Sequence, residues 1–291
     1  MLSDVFDQRE RETNWFQDAL SVNKPGTGFE TWFQPVVDTR RHQLVGQECL
    51  IRFSGDRDRA GNEILSAARS GNLLAEFDIR AVRLAIRSAG VQQRQGRSKG
   101  PWFINFLPTA ISDLKCFTSL VMDALVEACL VPKNIIFEVV ESDLTGDSAR
   151  LRAVHDSLRA RGFGFSLDNA GIGTNAFQLI CDLRPDYVKI DRRLAWNAEQ
   201  PFCATTIRKL VELADLNGVQ PIAAGIERAR TVENLWLLGV HLMQGYLFGR
   251  PSPTVARSAA RSDLENLARV LSPTCESLAS HDPAPVFADL H

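Results

Sequence analysis

The sequence predicts an α/β fold, a modified TIM-type (β/α)8 barrel whose first strand runs antiparallel to the second. Three observations carry this. Eight short apolar runs recur along the chain, several of them apolar almost throughout, as strands buried on both faces are. From about residue 43 to 250 they alternate with segments whose apolar residues repeat at three and four, the spacing of a helix. The first two runs are joined only by "TRRHQ", too short for the crossover that parallel neighbours need, so that pair is antiparallel. An open sheet usually has fewer strands than eight, which favours closure into a barrel.

In chain order, residues 1–28 read as an N-terminal leader, polar at first and then turning at "NKPGTG". The barrel domain is expected over 29–255. Its strands are "TWFQPVVD", "LVGQECLIRF", "PWFINFLP", "IIFEVVES", "GFGFSLDN", "DYVKIDRR", "PIAAGIER" and "LMQGYLFG". Helices are expected at "ILSAARSGNLLAEFDIRAVRLAIRSAG", "AISDLKCFTSLVMDALVEACL", "SARLRAVHDSLRARG", "NAFQLICDLR", "ATTIRKLVELADLNG" and "RARTVENLWLLG", several of which close on Gly or stop before Pro. Residues 256–291 read as the end of a helix and a flexible tail, where Pro mixes with small polar residues in "SPTCESLASHDPAPVFADLH".

With 291 residues and 45% hydrophobic content the chain has ample material for one large core. A formal net charge of -2 gives no electrostatic reason for DNA, RNA or an anionic membrane as a bulk partner. No run approaches the roughly 18 apolar residues of a membrane span, and "MLSDVFDQRERETNWF" is charged where a signal peptide is apolar. The 6 Cys residues lack CxxC spacing and the 5 His residues are dispersed, so neither zinc nor a disulfide framework is indicated. The expected location is the cytoplasm.

Reactive groups of such a barrel project from the C-terminal ends of its strands. The ends of these runs carry Glu48 then Arg52, Asn105, Glu138 then Glu141, Asp168 then Asn169, Lys189 then Asp191, Glu227, and Gln244. Inward charges are costly unless paired or metal-bound, so seven strand ends delivering an acid, amide or lysine to one mouth form a coherent site. Glu48, Asn105, Glu138 and Asp168 offer oxygen ligands, which suit Mg²⁺ or Mn²⁺ rather than zinc or copper. Lys189 and Arg52 supply the positive charge that suits phosphate. Together they describe metal-assisted phosphodiester chemistry or phosphate-ester binding, with salt bridges sealing the mouth as the alternative.

These residues resemble those of the EAL family, modified (β/α)8 barrels that bind and usually hydrolyse cyclic di-GMP. The resemblance rests on "FQPVVD", "VGQECLIRF" in place of an E-A-L-L-R core, "FINF", "FEVVES", "LDNAGIG" in place of D-D-F-G-T-G, "VKIDRRL", "AAGIE" in place of A-E-G-V-E, and "MQGYLFGRP". It implies that Glu48, Asn105, Glu138 and Asp168 hold a first metal. It implies that Lys189 lies near the attacking water, that Asp191 belongs to the same motif, that Gln244 orients that water, and that Glu141 braces the loop after Asp168. It further implies nucleotide contacts from Gln34, Leu50, Arg52, Asp78 and Glu227.

Two of the departures from the family pattern fall on its second-metal side. Where the family has acids on its second-metal side, this chain has Asn169 and Ala224. Two cations about 3.5–4 Å apart need negative ligands to coexist, so one Mg²⁺ or Mn²⁺ at most is expected. The resemblance with these losses implies a degenerate EAL domain, a cyclic di-GMP receptor or regulator with little or no hydrolysis. A functional or slow phosphodiesterase giving the linear dinucleotide is the alternative, and a nucleotide-independent protein scaffold the second. A regulatory protein partner and a homodimer belong to the same expectation.

Overall fold

The computed structural model of the chain describes residues 15–17, 19–20, 28–54, 61–98, 100–140, 148–173 and 175–255. Eight strands among them close into a barrel in sequence order: β1 (Phe29–Asp38), β2 (Gln43–Phe53), β3 (Trp102–Asn105), β4 (Ile135–Val140), β5 (Gly164–Ala170), β6 (Tyr187–Ile190), β7 (Gln220–Ala223) and β8 (Leu242–Gln244). β1 pairs antiparallel with both β2 and β8, and every other pair is parallel, as the short first connection predicts. The helices are α1 (Gly61–Ser70), α2 (Leu74–Arg94), α3 (Leu114–Ala128), α4 (Ser148–Arg159), α5 (Ala176–Leu183), α6 (Arg192–Trp196), α7 (Pro201–Asn217) and α8 (Ala229–Leu237).

Side chains alternate across each strand, so one set fills the barrel and the other packs on the helices. The outer set includes Phe137, Phe163 and Phe165, which join Val82 and Ile86 of α2, Phe117 of α3 and Leu158 of α4 in one buried cluster. Inside, Val36, Phe103, Ile136, Ile222 and Leu242 form an apolar layer, with Tyr187 against it. Phe103 is the large member, and Gly46 makes room for it: a Cβ at Gly46 would stand 2.9 Å from the Phe103 ring and 2.5 Å from the Pro101 carbonyl oxygen. This layer is the floor of everything above it. Inward residues one step further along the strands are Glu48, Asn105, Glu138, Ser166, Lys189 and Gln244, so the polarity changes sharply within one layer.

The structure differs from the expected elements in three places. The long run after β2 is two helices, because the chain enters a left-handed conformation at Asn72 (φ 54°) and the N–H groups of Gly71 and Leu73 bond back to Ala67 and Ala68. "DRRLAW" contains the short α6, whose N-cap is Asp191. Within the stretch read as a polar leader, Phe16 is wholly buried and Leu20 nearly so, packed with Phe77, Ile64 and Ala68. Glu141 and the tail over 256–291 lie outside the described residues.

Candidate active site

The polar layer is a network centred on two glutamates. Lys189 donates from Nζ to Glu138 Oε2 at 2.8 Å and to Glu48 Oε2 at 3.0 Å. Its ammonium lies 5.8 Å from the centre of the Phe103 ring, and the residue is 2% exposed. Gln244 donates from Nε2 to Glu48 Oε2 at 2.6 Å and reaches Gln34 Oε1 at 3.4 Å, while Asn105 Nδ2 donates to Glu48 Oε1 at 3.0 Å. Gln34 in turn donates to the Gly249 carbonyl at 3.1 Å, tying the network to the turn after β8. That turn is fixed by backbone contact: a Cβ on Gly245 would lie 2.1 Å from the Ile226 carbonyl oxygen.

Burial alone would drive the proton off Lys189, but Glu138, Glu48 and Asp168 reverse this and hold the ammonium above the ordinary lysine range. Burial pushes against ionisation of Glu48 too, yet Lys189 and the donors Gln244 and Asn105 keep its carboxyl below the usual range. Glu138 goes the other way: burial lifts it well above the usual range against the pull of Lys189, and Glu48 and Asp168 add repulsion. Asp168, at the end of β5, is raised by burial first and by Glu48 and Asp191, with Lys189 opposing.

Asp168 and Asn169 sit on a bulge, where the pairing of β5 with β6 shifts between Leu167 and Ala170. Asn169 is exposed and left-handed at φ 57°, a conformation Asn tolerates better than most residues. On β7's continuation, Ala224 donates its N–H to the Ile190 carbonyl at 3.3 Å and presents only a methyl group to the mouth.

The remaining expected residues are placed as follows. Asp191 accepts the Arg193 N–H at 2.7 Å and pairs with its guanidinium at 3.1 Å, so its carboxylate caps α6. Leu50 and Arg52 are partly buried on β2 opposite Trp32 and Glu30, and the Arg52 guanidinium lies 5.9 Å from the Trp32 ring centre. Asp78 is buried in α2 and accepts the Leu107 N–H at 3.1 Å, bracing the backbone that follows Asn105. Glu227 is exposed beyond β7. Sequence reasoning missed Phe103 as the floor and Trp32 as the ring beside Arg52. Alternation from Asn105 and the register of β1 on β2 contain both signals.

Four oxygen-bearing side chains thus point into one mouth, and Glu138 Oε1 is buried without a hydrogen-bond partner. An unspent hard oxygen beside Glu48, Asn105 and Asp168 fits a hard divalent cation. Among the described residues no three acidic, His or Cys side chains already converge tightly enough to hold one. The Lys189 ammonium stands between the two glutamates instead.

The model of the EAL domain matches residues 13–251. The chain belongs to the EAL domain family. Its curated relatives include the cyclic di-GMP phosphodiesterase RocR of Pseudomonas aeruginosa, 26% identical over 232 residues, covering 77% of this chain and 58% of the relative. Another is the cyclic di-GMP phosphodiesterase PdeL of Escherichia coli, 24% identical over 249 residues, covering 81% of this chain and 66% of PdeL. Among solved EAL structures, a standalone Vibrio cholerae protein in its c-di-GMP-bound form superposes with TM-score 0.69 at 26% identity, over 81% of this chain and 99% of that one. The manganese/cy-diGMP complex of Klebsiella pneumoniae BlrP1 superposes with TM-score 0.70 at 25% identity, over 79% and 57%. This EAL chain spans 58% of RocR and 33% of the bifunctional relative MucR. Among the described residues no helix is long and apolar enough to cross a membrane.

Proposed function

We propose that this EAL domain binds cyclic di-GMP and acts as a receptor or regulator with little or no hydrolysis. The observation that carries the reading is the neutral pair Asn169 and Ala224 at the mouth, beside an otherwise assembled set of oxygens. With all three ionised, Glu48, Glu138 and Asp168 against Lys189 leave two negative charges, which one Mg²⁺ or Mn²⁺ balances and a second would overshoot. Glu48, Asn105, Glu138 and Asp168 would hold the cation, which would supply Lewis-acid charge at a phosphodiester oxygen. Lys189 and Gln244 hold Glu48 in place, and Phe103 closes the site to water from below. Gln34, Leu50, Arg52 and Glu227 supply the nucleotide side of the mouth, with Asp78 supporting the strand end behind it.

Calorimetry with cyclic di-GMP, with and without Mg²⁺, followed by product analysis of the same samples, tests this reading. Binding with intact ligand is the expected result. Turnover at a rate ordinary for the family overturns it. The assembled Lys189, Glu48 and Gln244 favour a second reading, a slow phosphodiesterase, and Asn169→Asp with Ala224→Glu raises turnover if missing acids are the only defect.

The proposal includes a homodimer. Ile172 after β5, Phe177 of α5, Trp196 of α6 and Phe202 of α7 are exposed large apolar residues on neighbouring segments of the chain, and light scattering of the full chain gives the mass.

A further inference from the structure

We propose that Lys189 is the site's resident cation and sets its affinity for divalent metal by competing for the same two carboxylates. The ammonium contacts Glu138 Oε2 and Glu48 Oε2 at 2.8 and 3.0 Å, taking one oxygen from each of two side chains that also belong to the oxygen set of the mouth. It has no ready exit. Lys189 is 2% exposed, its strand neighbours Val188 and Ile190 are wholly buried, and Phe103 lies under its tip. A divalent ion entering from the mouth therefore meets a charge already in place, which it must displace from one or both glutamates or share them with. The other oxygens show the division: Glu48 Oε1 is held by Asn105, and Glu138 Oε1 alone is left without a hydrogen-bond partner. Two carboxylates bridged by a fixed monovalent cation repel each other less, which holds the mouth together before any metal arrives, and they attract a dication less strongly for the same reason. The site is stable without metal and binds metal more weakly than its oxygen count suggests.

The proposal rests on the mouth being a cation site, and it holds whether or not the nucleotide is cut. Its test therefore uses Mn²⁺ alone, with no nucleotide. Calorimetric titration of Mn²⁺ into the full chain compares the wild type with Lys189→Met and Lys189→Arg. Lys189→Met is expected to bind Mn²⁺ about tenfold more tightly or better, while Lys189→Arg, which keeps the charge, gains nothing. Unchanged or weaker binding by Lys189→Met overturns the proposal. Where removal of the lysine lowers stability, the melting temperature in chelator and in Mn²⁺ decides: a larger Mn²⁺-induced rise in Lys189→Met than in the wild type supports the proposal, and an equal or smaller rise sinks it.

Discussion

At the scale of single residues, the mouth is a set of charges standing on one aromatic ring. Phe103 is wholly buried, fills the barrel under Lys189 and has Gly46 cut back to admit it. Phe103→Ala is expected to cost about 3–5 kcal/mol in chemical denaturation, as large-to-small changes in aromatic cores do. A loss below about 1 kcal/mol would show that the floor collapses around the gap. The glutamates also give a pH dependence with a definite sign. Metal ligands must be deprotonated, and Glu138 and Asp168 hold their protons to higher pH than ordinary carboxyls. Mn²⁺ affinity is therefore expected to fall as pH is lowered, and to begin falling well above the ordinary carboxylate range, which titration at stepped pH measures. Glu48, held below the usual range, contributes little to that decline.

At the scale of elements, the ends of β5 and β8 at the mouth differ in kind. The β5 end is a bulge whose geometry Asn169 satisfies at φ 57°. Asn169→Ala is expected to destabilise by about 1–2 kcal/mol, with Asn169→Gly close to neutral, read from denaturant midpoints. Equal effects of the two would mean the bulge relaxes. The β8 end has no such freedom: Gly245→Ala drives a methyl into the Ile226 backbone, so it should cost more than either and pull Gln244 from Glu48. Strands were legible from their apolar runs because both faces are buried, and the mouth was legible because period-two alternation fixes which strand-end residues turn inward. The break between α1 and α2 was not, since Gly71 and Asn72 lie inside a continuous helical pattern and only the backbone bonds to Ala67 and Ala68 end it. Asp191 reads as one more inward acid in the sequence, yet a following helix of five residues claims its carboxylate. The bridge from Lys189 to two glutamates on different strands is a matter of side-chain reach across the barrel, which no linear spacing records.

At the scale of the whole molecule, residues ahead of β1 pack into a buried cluster with β1, β2, α1 and α2. Phe16 is wholly buried with its ring 5.7 Å from Phe29 and 5.5 Å from Phe77, and Trp15 lies 4.8 Å from Phe53. Phe16→Ala is expected to lower the melting temperature by roughly 6–20 °C, the shift that about 3–5 kcal/mol brings to a domain of this size. A shift under about 2 °C would mean the segment merely rests on the surface.

The reversed direction of β1 settles from which side the chain approaches. In an all-parallel barrel the first strand is entered at the closed end, far from the chemistry. Here Phe29 opens β1 beside Phe53, one residue past Arg52, so β1 is entered at the rim that carries the polar mouth. Trp15, packed against Phe53, stands at the doorway rather than the back wall, and a dye put in its place would look onto the polar mouth.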